Sequence, residues 1–293
     1  MIKTYLQMMR PANVVTAWTD ILAGASLVGF VTYGLGFSVD PQLLLALLFS
    51  TTGLYAGGIV LNDVCDADLD AVERPERAIP SGKISVTKAT IFSIALTAMG
   101  LGMSAQVSPH SLYLASAVAA SATLYNAWGK HQSIWGPINM GLCRAGNLAL
   151  GMSIFPFWTS FAWLALFPVL YIGAITMISR GEVHGGKPIT LVWAGIAYGV
   201  VQLGQVYWSI EKGHLLTSIT FIVLHGYFVY GPLWKAYQNP SGPLIGQAVK
   251  AGVLGLILMN AAWISTGGDW VLASAVTFLL PLSMRLAKVF AVT

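Results

Sequence analysis

Ten apolar stretches, each long enough to cross a bilayer as a helix, follow one another along the chain with short polar breaks between them. They run near 14–36, 42–61, 86–107, 111–128 and 134–155, then near 157–179, 189–210, 214–235, 244–265 and 269–290. Most breaks carry turn residues such as Asp40-Pro41, Gly213 and Gly267-Gly268. Two breaks are longer and more polar, one from Asn62 to about Lys83 and one from Arg180 to Pro188. No linker or low-complexity tract divides the chain, so residues 1–293 are expected to form a single domain. Lys3 and Arg10 precede the first stretch as in a secretory signal, but the stretch is long and the next follows at once. The first helix is therefore expected to be retained.

Composition identifies the solvent. The chain is 56% hydrophobic and only 9% charged, with 31 Gly and 10 Trp, and its mean hydropathy is +0.72. A soluble domain of this length is excluded, and the expected class is an all-α integral membrane bundle of nine or ten transmembrane helices. Glycine suits such a bundle because small residues let helices approach, within one bundle or between two, and Gly53, Gly57 and Gly58 are placed for either. Cys65 and Cys143 form no CxxC pair, which argues against a disulfide scaffold or a thiolate zinc site. The net charge of +4 is spread over short loops, so it reads as a topology signal and no nucleic-acid partner is expected.

Counting crossings puts both polar loops on one face, because four crossings separate them. Of the 15 Lys and Arg, Lys212 alone flanks the opposite face and Arg144 falls inside the fifth stretch. The positive-inside rule then makes the loop face, and the N-terminus, cytoplasmic. Arg285 and Lys288 join that face only if the number of crossings is even, which favours ten.

The first polar loop opens with Asn62-Asp63-Val64-Cys65-Asp66-Ala67-Asp68-Leu69-Asp70. At about 100° per residue, Asp63, Asp66 and Asp70 share a helix face, Asn62 borders it, and Asp68 points away. Stacked carboxylates repel one another and are costly beside hydrocarbon, so they call for a cation. Mg2+ fits, since it takes oxygen ligands and shares carboxylates with substrate phosphates. The plainer alternative is a solvated acidic helix end. Downstream, Arg74 and Arg77 add guanidiniums, which bind phosphate oxygens bidentately, and acids with arginines together describe a diphosphate site. Pairing of these arginines with Asp70 and Glu73, or anchoring at headgroups, is the competing reading.

These residues resemble the UbiA superfamily of intramembrane prenyltransferases. The family's NDxxDxxxD motif is matched from Asn62 to Asp70, and Arg77-Ala78-Ile79-Pro80-Ser81-Gly82 matches the arginine-containing run that follows it, with Ala78 where the family usually has proline. Arg10-Pro11 with Asn13 at the entrance to the first helix, and Tyr125 with Lys130 at the end of the fourth, match as well. The resemblance implies a bundle around a central cavity, Mg2+ bridging an allylic prenyl diphosphate, and transfer of the prenyl group to an acceptor in the membrane. It implies Asn62, Asp63, Asp66 and Asp70 as metal ligands, and Arg74, Arg77, Lys130 and Lys187 as diphosphate binders. The family's second motif normally holds two or more aspartates, whereas the second loop here offers Glu182, with His184 and Lys187 nearby. That depletion resembles the EboC branch, and it keeps a noncatalytic isoprenoid carrier or scaffold as the alternative function.

Arg144 inside the fifth stretch is expensive in hydrocarbon, with Asn147 one turn later and Asn139 nearer the charged end. With Asn13 and Tyr125, Arg144 and Asn147 are expected to line the cavity. Whether Arg144 faces the diphosphate, the acceptor or a buried partner such as Asp20 stays open at this point.

Overall fold

The computed structural model describes residues 2–33, 39–183 and 185–290. The described residues form helices α1 (Ile2–Met9), α2 (Pro11–Tyr33), α3 (Pro41–Cys65), α4 (Ala67–Glu73), α5 (Val86–Ala105), α6 (Pro109–Ala127) and α7 (Trp135–Met152). They continue as α8 (Leu166–Ser179), α9 (Pro188–Glu211), α10 (Leu215–Gln238), α11 (Gly242–Thr266), α12 (Trp270–Thr277) and α13 (Leu279–Val289). Several starts have a stated chemical cause. Asp40 caps α3 by accepting from the backbone N–H of Gln42, Ser85 accepts from Lys88, Ser108 from Ser111 and Asp269 from Leu272. Proline at the first turn of α3, α6, α9 and α11 lacks an N–H that a helix start cannot use. Pro281 likewise has no N–H to give the carbonyl four residues back, at Thr277, where α12 ends.

By length and composition, seven helical segments among the described residues are apolar enough to cross a membrane: α3, α5, Trp158–Ser179 ending in α8, α9, α10, α11, and Trp270–Val289 comprising α12 and α13. Helices α2, α6 and α7 pack among them. The expected all-helical membrane bundle is present.

Its two halves are packed differently. Around α8 to α11, the buried side chains of Tyr171, Leu191, Tyr198, Val201, Leu256 and Trp263 belong to one continuous core. Two smaller clusters serve the first half, one around Val14, Val60 and Leu96, the other around Ile21, Leu47, Leu54 and Leu150. Lipid tails are as apolar as leucine, so close packing must supply what water exclusion does in a soluble protein. Glycine makes it close. A Cβ on Gly24 would lie 2.2 Å from the Leu148 carbonyl oxygen, and one on Gly151 would lie 2.4 Å from that of Ile21, so α2 and α7 touch backbone to backbone. Gly53 and Gly100 join α3 to α5 in the same way, with a Gly53 Cβ falling 2.4 Å from the Leu96 carbonyl oxygen. The glycines of α3 thus serve contacts within one bundle. Finally, the Ser283 hydroxyl donates to the Ala12 carbonyl at 2.8 Å and fastens α13 to the start of α2.

Candidate active site

The acidic motif spans the joint between α3 and α4. Asp66 is at once the last cap of α3 and the first of α4, with φ −96° and ψ 5°. Backbone bonds from Asp66 to Asn62 (2.9 Å), Asp70 to Asp66 (2.8 Å) and Arg74 to Asp70 (2.9 Å) carry the helical register through the joint. Side chains four apart therefore stay on one side, as expected. Asp63 and Asp70 are buried, Asp66 is half-buried and Asp68 is exposed.

Each of the three inward carboxylates meets a cation. Arg10 donates from Nη2 to Asp63 Oδ1 at 2.8 Å, and Arg77 donates from Nη1 to Asp70 Oδ2 at 2.6 Å while standing 3.6 Å from Asp63 Oδ1. Lys130 pairs with Asp66 Oδ1. Arg77 is set by the folded loop after α4, in which Ser81 bonds back to the Arg77 carbonyl at 3.0 Å and Gly82 takes φ +73°. Asn62 donates to the Asn126 side chain (3.1 Å), which in turn donates to the Gly58 carbonyl (2.9 Å). Asp63 Oδ2, Asp66 Oδ2 and Asp70 Oδ1 make no hydrogen bond or ion pair among the described residues, so each carboxylate keeps an oxygen to offer.

Below this rim lies a cavity of about 290 Å³ between α2, α3, α6 and α7. Arg10, Asn13, Asn62, Tyr125, Asn126, Arg144 and Asn147 supply its polar wall, and Leu54, Ile59, Val118 and Met140 its apolar one. The four cavity residues expected from the sequence, Asn13, Tyr125, Arg144 and Asn147, all line it.

At the cavity wall, the choice left open for Arg144 is decided in favour of a protein partner. Its Nη1 donates to Asp20 Oδ2 (2.8 Å), and its Nη2 to the hydroxyls of Thr16 (2.7 Å) and Tyr55 (3.2 Å). Asn147 also donates to Asp20 Oδ2 (2.9 Å), and Asn260 donates to Oδ1 (2.7 Å). Thr51 completes the Asn147 side chain by donating to its oxygen at 2.7 Å.

The second loop is only loosely engaged. Glu182 is half-buried, and burial pushes its carboxyl above the usual range while the nearby Arg74 guanidinium pulls the other way. Lys130, which pairs with Asp66, lies in the same α6–α7 connection as Gln132, whose carbonyl accepts from Arg180, so both polar loops sit at the same end of the bundle. Among the described residues, however, no side-chain hydrogen bond or ion pair joins Glu182, Arg74 or Lys187 to the acidic rim, and Arg74 and Lys187 are exposed. His184 lies outside the described residues. Three residues emerge that sequence reasoning did not assign to the site: Arg10, Asn126 and Tyr55. Arg10 had a signal, since Arg10-Pro11 was already a matching pair.

The donor set fits Mg2+ in kind, with hard oxygens and one spare oxygen on each carboxylate. It does not gather at a single point: among the described residues no three His, Cys, Asp or Glu side chains are close enough to hold a metal ion by themselves. Such a rim suits a metal whose shell is completed by substrate oxygens and water.

The family model of the UbiA prenyltransferase family matches residues 22–245. The chain belongs to this family. A digeranylgeranylglyceryl phosphate synthase of Methanothrix thermoacetophila is 32% identical over 243 residues, covering 80% of this chain and 82% of that protein. The synthase of the same name from Saccharolobus solfataricus is 32% identical over 178 residues, which is 60% of each protein. Among solved structures, a UbiA homologue from Archaeoglobus fulgidus bound to GPP and Mg2+ superposes with a TM-score of 0.66 at 15% identity, over 92% of this chain and 99% of that one. The family match and the sequence relatives favour a prenyltransferase over the noncatalytic carrier.

Proposed function

We propose that this membrane enzyme transfers a prenyl group from an allylic prenyl diphosphate, held at the acidic rim, to a lipid-soluble acceptor in the cavity beneath it. The observation that carries this reading is the set of Asp63, Asp66 and Asp70, each beside a cation and each with a spare oxygen, at the mouth of a largely apolar cavity. The names of the relatives and the GPP and Mg2+ of the Archaeoglobus homologue support it.

Mg2+, when bound, would neutralise charge building on the departing pyrophosphate. Asn62, Asp63, Asp66 and Asp70 would hold it, with Glu182 as the sole carboxylate of the second loop. The remaining work falls to the protein's own side chains. Arg77 and Lys130, with Arg74 and Lys187 further out, offer N–H groups to the leaving group as its carbon–oxygen bond breaks and the electron pair departs with the pyrophosphate. Leu54, Ile59 and Val118 keep water from the allylic cation. The acceptor's nucleophile then bonds to that carbon and gives up a proton. All ten apolar segments cross the membrane in this reading, with the rim and the N-terminus in the cytoplasm.

The test is pyrophosphate release from geranyl diphosphate by the protein in vesicles. Asp66→Asn is expected to lower the Mg2+-dependent rate by about 100-fold or more. A wild-type protein that releases none from any prenyl diphosphate would restore the carrier.

A further inference from the structure

The cavity below the rim ends in a floor that ties its helices together. The Thr51 hydroxyl of α3 donates to the Asn147 side-chain oxygen of α7 at 2.7 Å, and the Asn147 amide donates to the Ala17 carbonyl of α2 at 3.0 Å. On the α6 side, a Cβ on Gly146 of α7 would lie 2.6 Å from Val118 Cγ2. Beneath this level Ile21, Leu47 and Leu150 are fully buried in one core cluster. Thr51 and Asn147 are themselves buried, and their O–H and N–H groups are all committed to protein partners, so the floor is fixed.

The sides are closed as well. Trp18 donates to the Thr52 hydroxyl at 2.8 Å between α2 and α3, Asn126 to the Gly58 carbonyl at 2.9 Å between α6 and α3, and Arg144 to Asp20 at 2.8 Å between α7 and α2. At the upper end of the α6–α7 seam, a Cβ on Gly136 would lie 2.7 Å from the Gly129 carbonyl oxygen. Parting any of the three hydrogen-bonded seams would strand a polar group beside hydrocarbon. A tail that enters at the rim therefore runs down toward Thr51.

Its room is limited. Asn62 at the rim and Thr51 at the floor both lie on α3, about 16 Å apart along its axis at roughly 1.5 Å per residue. An extended chain advances roughly 1.2 Å per bond, so a geranyl tail needs about 10 Å, a farnesyl tail about 14 Å and a geranylgeranyl tail about 19 Å. The volume of about 290 Å³ agrees, since it lies at the lower end of small-molecule sites, roughly 300–1,000 Å³.

We propose that the Thr51–Asn147 bridge is a length stop, which lets the cavity take geranyl and farnesyl tails and turns geranylgeranyl away. The reacting carbon of the shorter tails stays at the top, where an acceptor in the same cavity can reach it. As a statement about donors this rests on the prenyl-transfer reading, whereas the limit on bound tails can be measured without turnover.

The probes are thiolo analogues of geranyl, farnesyl and geranylgeranyl diphosphate, in which sulfur replaces the bridging oxygen and slows ionisation. Titrated calorimetrically with Mg2+ into the full-length protein in detergent, the farnesyl analogue is expected to bind at least as tightly as the geranyl one, and the geranylgeranyl analogue at least about tenfold more weakly than farnesyl. The kcat/KM for pyrophosphate release from the parent diphosphates should rank the same way. Cys143 lines the cavity one turn above Asn147, so Cys143→Phe raises the floor and should weaken farnesyl about tenfold relative to geranyl. Leu54 belongs both to the cavity wall and to the core beneath it, so Leu54→Ala opens the floor and should narrow the gap between farnesyl and geranylgeranyl about tenfold. A geranylgeranyl analogue that binds as tightly as farnesyl would overturn the proposal, as would a wild type that binds none of the three, or either variant, folded, with the wild-type ranking intact. A wild type that ranks the analogues as expected but releases no pyrophosphate would end the prenyl-transfer reading and leave the length stop standing.

Discussion

Two sets of acid–base pairs lie one above the other in this bundle, and they differ in how completely their carboxylate oxygens are satisfied. Around Asp20 both carboxylate oxygens are occupied, one by Asn260 and the other by Arg144 and Asn147, and Thr16, Tyr55 and Thr51 complete the network. At the rim, Asp63, Asp66 and Asp70 each have one oxygen paired and one free. A carboxylate of α2 sealed among donors from α7 and α11 has nothing left to offer a ligand, and it ties the three helices together. A half-satisfied one beside Arg and Lys side chains can exchange its partner for a metal or release its cation to a phosphate. The same residue types therefore make structure at one depth and chemistry at the other.

The comparison breaks first at Arg144. Removing one member of a buried pair strands the other's charge, at a cost of about 3–5 kcal/mol, whereas replacing both with apolar side chains is often close to neutral. Arg144→Met alone is expected to lower the stability measured by denaturant titration in detergent by about that amount. The double variant Asp20→Leu with Arg144→Met should recover most of the loss. A single variant as stable as wild type would show that the lower set is not structural.

The rim should behave in the opposite way. Asp66→Asn, expected to abolish turnover, should move unfolding by only about 1 kcal/mol, because the Asp66–Lys130 pair is partly exposed: the side chains are 19% and 12% accessible. Chelation of divalent ions by EDTA should leave the unfolding midpoint in place for the same reason, since Arg10, Arg77 and Lys130 already balance the carboxylates. An unfolding midpoint that falls on chelation would mean that the rim, too, depends on its ligand for structure.

How much of this was legible without coordinates follows from distance along the chain. The acid face was local: spacing alone aligned Asp63, Asp66 and Asp70 and turned Asp68 outward, and the structure keeps that register through the joint at Asp66. Asn13, Tyr125, Arg144 and Asn147, named from the sequence as polar cavity residues, line the cavity below the rim. Partners were harder. Arg10 reaches Asp63 across 53 residues, and nothing in either local pattern records the left-handed turn at Arg10 that aims it there. Asp20 was one of several partners open to Arg144, and the choice was made by Gly24 and Gly151, which bring α2 and α7 into backbone contact. The second loop was read as a depleted metal motif, and the structure holds Glu182 within the influence of Arg74 but unbonded to the rim.

Glu182 gives the finest division between the two sets, because it belongs to neither. Its half-buried carboxyl sits at the rim's end of the bundle, so a role in holding metal predicts that Glu182→Gln raises the Mg2+ concentration for half-maximal pyrophosphate release by about tenfold. Its stability effect should be small, within about 1 kcal/mol, since among the described residues the charge that bears on it is the exposed Arg74. Arg74→Ala should then change the Mg2+ requirement far less than Glu182→Gln does, and by an amount that shrinks as salt is added, because attraction between partly exposed charges is screened. If Arg74→Ala and Glu182→Gln shift the Mg2+ requirement equally, Glu182 acts only as the counter-ion of Arg74, and metal binding belongs to the α3–α4 joint alone.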